Sequence, residues 1–210
     1  MAFFLMVLDH IPRALPVKWG IGPLMMGRGA MPLFCLTLGF GLAQAASPSI
    51  AVATTLRRLL VAGILSQPLY VWAFHNQWRD LNVLFTLFSG VLLVRAFCTP
   101  VTVRSLLVTA TALPVLYFSD YGVCGAVLVM AFFLIGQRRF LPYSAALAVL
   151  CLLGLRPELW VYIGLAFLPV WAAIAYFAPI QVPRIRHVFY YAYPAHLLGL
   201  AAVRAYMASH

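Results

Sequence analysis

Four side chains occupy positions that an apolar helix should not tolerate: Asp9 and His10 after Leu5-Met6-Val7-Leu8, Gln67 between Leu59 and Phe74, and His196 between Val188 and Met207. In hydrocarbon an ionisable or amide group costs a few kcal/mol unless it faces a bundle interior, so each is a functional candidate. A buried imidazole is favoured in its neutral form and then accepts a proton, as a general base must. The plainer reading is that each histidine bonds a neighbouring helix and only stabilises packing, worth about 1 kcal/mol in membranes. Adjacent residues on a helix do not face each other, so Asp9 is expected to pair with Arg13 or with another span instead of His10.

The depths of these groups agree. If the chain starts at the cytoplasmic interface, His10 lies about 15 Å along its helix at 1.5 Å per residue. Gln67 counted from Arg58, and His196 counted from Arg186, reach roughly the same depth. Three spans that enter from one side thus carry a polar group near the bilayer midplane. A second group starts from the opposite side: Arg28 opens one span, and Asp80 with Asn82 opens another. These either face the same cavity or act as interfacial anchors that snorkel to water.

The elements that must hold these groups follow from composition. Of 210 residues 65% are hydrophobic and 9% charged, a balance that fits lipid as solvent and not a water-exposed surface. At about 20 residues per span, about eight or nine helices use up the chain and leave no soluble domain. The expectation is therefore an all-α, polytopic integral membrane bundle, residues 1–210 forming one domain. Apolar runs place spans at Ala2 to Ile11, Ala30 to Ala46, Leu59 to Phe74, Leu81 to Phe97, Leu106 to Phe118, Gly122 to Ile135, Leu141 to Leu155, Leu159 to Phe177 and Val188 to Met207.

Arginine pairs follow the even-numbered spans (Arg57 with Arg58, Arg95 with Arg104, Arg138 with Arg139, Arg184 with Arg186), which places those loops and the N-terminus in the cytoplasm. The formal net charge of +10 is spread over many short loops, which argues for topology and anionic lipid headgroups and against nucleic acid. Cys35, Cys98, Cys124 and Cys151 lie in different apolar stretches, without metal or redox spacing, and read as packing residues. The two buried histidines lie on separate spans without cysteine or carboxylate partners at ligand spacing, so no metal is expected.

Several segments together carry a resemblance. Leu5-Met6-Val7-Leu8-Asp9-His10-Ile11, Gly27-Arg28-Gly29-Ala30-Met31-Pro32-Leu33-Phe34 with Gly39-Phe40, Arg57-Arg58-Leu59-Leu60 and Ser66-Gln67-Pro68 resemble, in order and spacing, the TraX family of conjugative pilin acetylases. Asn82-Val83-Leu84-Phe85-Thr86-Leu87 and Tyr190-Tyr191-Ala192-Tyr193-Pro194-Ala195-His196-Leu197 are similar to that family's later motifs. Between Leu106 and Leu155 only Tyr121-Gly122 takes part. The resemblance implies a multi-pass enzyme of the bacterial inner membrane that acetylates the N-terminal amine of a processed pilin subunit, with acetyl-CoA as donor.

Such acyl transfer needs a neutral amine, a group to take its proton, and donors for the developing oxyanion. His10 is the first choice as base and His196 the second, with Asp9 in the same candidate catalytic set. Arg28, Asn82 and Gln67 are candidates to stabilise the oxyanion or position the donor. Arg57, Arg58, Arg184 and Arg186 are available for CoA phosphates. The same residues also suit a membrane acyltransferase of a sugar or polymer. In a small carrier or a structural component of a conjugation or secretion machine, His10, Gln67 and His196 would instead line a path or pack helices.

Overall fold

In the computed structural model, residues 2–15, 27, 29–100, 102–154 and 188–209 are described, and every regular element among them is an α-helix. In chain order these are α1 (Ala2–Ala14), α2 (Ala30–Ala43), α3 (Pro48–Phe74), α4 (Val83–Cys98), α5 (Val103–Ala110), α6 (Ala112–Phe118), α7 (Gly122–Gly136), α8 (Leu141–Gly154) and α9 (Val188–Ser209). The expected span from Leu159 to Phe177 lies outside the described residues.

Two boundaries depart from the apolar pattern. The helix expected from Leu59 begins at Pro48, because Arg57 and Arg58 are good helix formers and continue the helix instead of ending it. Pro48, in the first turn, lacks only an N–H that would have no helical partner there. The span expected from Leu106 to Phe118 is two short helices, α5 and α6. Pro114 cannot donate to the Ala110 carbonyl and its ring crowds it, so the helix breaks at Thr111.

Among the described residues α3, at 27 residues, is the one helix long and apolar enough to cross a membrane. Shorter apolar helices are α2, α4, α7 and most of α8. The outward face of α3 carries Val61, Ile64, Leu65 and Trp72, each more than half exposed, a surface that suits lipid contact. The protein is thus a helical, membrane-associated chain.

The core gathers on α7, which packs against α2, α4 and α8. Ala126, Leu128, Val129, Ala131 and Phe133 of α7 are fully buried. A Cβ on Gly90 of α4 would lie 2.7 Å from Val129 Cβ, so only glycine permits this approach. On the other side α3 packs against α4 and α9, while α1 touches α2, α3 and α9. Helices α3 and α9 run parallel: Tyr190 near the start of α9 lies in the field of Arg58, and Arg204 near its end donates to the Ala73 carbonyl at 2.9 Å. Arg204 is therefore held at the negative end of α3, where a cation is favoured.

Candidate active site

Helices α1 and α9 bring the two histidines into contact. His10 Nδ1 lies 2.8 Å from His196 Nε2, and the rings are nearly parallel, 16° apart. His196 Nδ1 lies 3.3 Å from the carbonyl of Ala192, one turn earlier in α9. A carbonyl only accepts, so the proton of that bond is assigned to His196 Nδ1. In neutral His196 the other nitrogen, Nε2, then accepts, and His10 Nδ1–H donates to it. Neutral His10 is left with Nε2 as its proton-accepting nitrogen. Phe74 meets the His10 ring edge-on, Phe3 meets His196, and Tyr193 meets both, which fixes both imidazoles in an apolar frame.

Asp9 does not orient His10. Its Oδ2 is 3.1 Å from Arg13 Nη2, one turn along α1, as the helical spacing led one to expect. Gly27 lies against the same turn: a Cβ there would come within 2.5 Å of the Asp9 backbone. Beside them is a pocket of about 10 Å³, lined by Asp9, His10, Met6, Met31, Phe34, Val83, Asp120 and Tyr121 among others. Its size suits about one water molecule.

The floor of this site is an irregular corner. After α3 ends at His75, whose φ of 54° is the left-handed turn that stops a helix, the chain folds back into the bundle before α4 begins. Asn82 caps α4 by accepting from the Leu84 N–H at 3.0 Å. Its Nδ2 donates to the Gly63 carbonyl at 3.0 Å and to Gln67 Oε1 at 2.9 Å. Gln67 Nε2 donates to the Asp80 carbonyl at 2.8 Å and reaches that of Trp78 at 3.5 Å. These partners lie roughly 10 to 16 Å of helix before Phe74, so α4 starts deep in the bundle. The Leu81 N–H donates to the Phe118 carbonyl at 2.8 Å and the Asp120 N–H to the Leu81 carbonyl at 3.2 Å, which ties the start of α4 to the start of α7.

The sequence-derived candidates therefore separate. His10 and His196 come together, and Asp9 lines the same pocket as His10. Gln67 and Asn82 meet each other, but their amide hydrogens are engaged by protein oxygens, so in this arrangement they hold the corner and offer no donor to a substrate. Asp80 closes its own turn by accepting from the Gln77 N–H at 3.0 Å. Arg57 and Arg58 sit on α3 on the order of 18 Å of helix from Tyr70. Arg28, Arg184 and Arg186 lie outside the described residues.

Three groups were missed. Tyr70 of α3, 2% exposed, donates to Asp120 Oδ1 at 2.8 Å, and Tyr193 is fully buried against both histidines. Asp120 is one of only four carboxylates in the chain, and that scarcity was the available signal.

Among the described residues the protein is a helical, membrane-associated bundle in which buried His10 meets half-buried His196 beside a pocket that Asp9 and Asp120 line. Its sequence matches the family model described as TraX protein over residues 1–204, and the chain belongs to that family. Membership places it among conjugation-related proteins. No curated protein and no solved structure matches it.

Proposed function

We propose that this protein is a multi-pass membrane acetyltransferase that transfers an acetyl group from acetyl-CoA to the N-terminal amine of processed conjugative pilin. The observation that carries this reading is the 2.8 Å bond between His10 and His196, whose assigned direction makes Nε2 the basic nitrogen of neutral His10, a residue that lines the pocket. The amine nitrogen attacks the thioester carbonyl, the C–N bond forms, and the C–S bond breaks. His10 takes a proton from the amine, and the departing thiolate is protonated to the thiol. While His10 carries the extra charge, its Nδ1–H bond to His196 becomes charge-assisted and stronger, so His196 serves as a positioning residue.

A pocket that suits one water does not hold both reacting groups as it stands. Met6 and Met31, unbranched and easily repacked, are the wall residues able to yield on binding. Parallel α3 and α9 agree with a nine-span topology, since the third and ninth spans of an alternating bundle run the same way, and the arginine distribution puts the N-terminus in the cytoplasm. Arg57 and Arg58, with Arg184 and Arg186, are then the cytoplasmic cations for CoA phosphates, and Arg28 is the remaining candidate oxyanion donor.

The test is intact-mass spectrometry of mature pilin from cells with and without this protein in the inner membrane. The expected result is a gain of about 42 Da, the mass of an acetyl group, on the N-terminal residue only when the protein is present. Unchanged pilin mass refutes the reading and directs the search to cell-surface glycans as acceptor.

A further inference from the structure

The acceptor amine has to enter an apolar bundle, and it arrives charged: with a pKa near 8, about nine-tenths of an α-amino group is an ammonium ion at pH 7. Taking that cation out of water is costly unless an anion receives it. Carboxylates are scarce here. Of the four in the chain, Glu158 lies outside the described residues and Asp80 closes its own turn. The other two, Asp9 and Asp120, both line the pocket that His10 lines.

The two differ in what they can meet. Asp9 is 3% exposed and paired with Arg13 at 3.1 Å. Asp120 is exposed, at the lip of the pocket, and is held there from two directions. Its Oδ1 accepts from the buried phenol of Tyr70 at 2.8 Å, and its N–H donates to the Leu81 carbonyl at 3.2 Å. Tyr70 packs edge-on against Phe74, which packs against His10, so the carboxylate is built on the same frame as the base. Among the described residues the immediate charges are Asp9, Asp120 and Arg13, whose own field includes both carboxylates.

We propose that Asp120, positioned by Tyr70, is the residue that recognises the ammonium form of the acceptor amine at the pocket lip. This rests on the amine-acetylation reading above and names its acceptor contact. The held ammonium gives one proton to His10 Nε2 and becomes the neutral nucleophile. The second proton, lost after attack, leaves with the thiolate as thiol.

The experiment uses the full chain in lipid nanodiscs with two probes: a pilin N-terminal peptide with a free amine, and the same peptide already acetylated. Wild type is expected to prefer the free amine by on the order of 10-fold to 100-fold, as a charge-assisted contact provides. Asp120→Asn should abolish that preference and raise the peptide KM by a similar factor with kcat changed much less. Asp120→Glu should restore most of it, and Tyr70→Phe should weaken it. A wild type without preference, an Asp120→Asn variant that keeps it, or a folded Asp120→Glu variant that lacks it overturns the proposal. An Asp120-dependent preference with no acetylation sinks the acetylase reading and keeps the ammonium site. Acetylation with unchanged KM in Asp120→Asn does the reverse.

Discussion

The replacement Asn82→Ala separates scaffold from chemistry at the corner below the histidines. Alanine cannot accept from the Leu84 N–H, and loss of such a cap costs about 1 kcal/mol. It also removes both Nδ2 bonds, to Gly63 and Gln67, in a site that is 0% exposed. Each is worth about 1 kcal/mol, and water does not replace them freely. Together the loss should be about 2 to 4 kcal/mol, a large fraction of a protein's usual net stability. Asn82→Asp keeps the cap acceptor but sets a carboxylate against the Gly63 carbonyl, so it should recover no more than the cap's share of about 1 kcal/mol. Unfolding by SDS titration of the purified protein in mixed micelles reads these differences directly. A variant that unfolds at the wild-type SDS fraction yet fails to transfer acetyl would refute the structural assignment and return Asn82 to the chemistry.

Three further outcomes follow from named contacts. Arg13→Ala removes the ion pair that the buried Asp9 carboxylate makes along α1 and should cost about 1 to 3 kcal/mol in the same titration, with Arg13→Ala plus Asp9→Asn recovering much of it. Gly27→Ala forces a Cβ to within 2.5 Å of the Asp9 backbone and should lower the acetyl-transfer rate at least about tenfold by displacing the base, a geometry-sensitive loss. Arg204→Ala frees the last carbonyls of α3 and should lower thermal stability by about 1 to 3 kcal/mol, measured by loss of helical ellipticity, with transfer intact in the folded fraction.

The histidine pair was legible because an imidazole is costly in an apolar helix, and the depth of His10 counted from the chain start matched that of His196 counted from Arg186. Their direct bond was not legible, since it depends on how α1 crosses α9. Gln67 was found for the same reason, but its partner Asn82 was expected to open a span at the far surface. Hydropathy cannot show a chain that folds back into the bundle, because Leu81 and Val83 are apolar at either depth. Asp120 lay in a short Ser119-Asp120-Tyr121 turn that reads as an ordinary loop. Its importance comes from Tyr70, on a helix distant in sequence, and from the bridge between Leu81 and Ser119.

The central claim is that His10 is the base and that His196 acts through it. The most direct test is the initial rate of acetyl transfer to pilin peptide by wild type, His10→Ala, His196→Ala and the double variant. The expected loss is about 10²-fold to 10⁴-fold for His10→Ala, smaller for His196→Ala, and almost none from His196→Ala once His10 is gone. Losses that multiply in the double variant, or a His10→Ala variant that transfers at the wild-type rate, would contradict it.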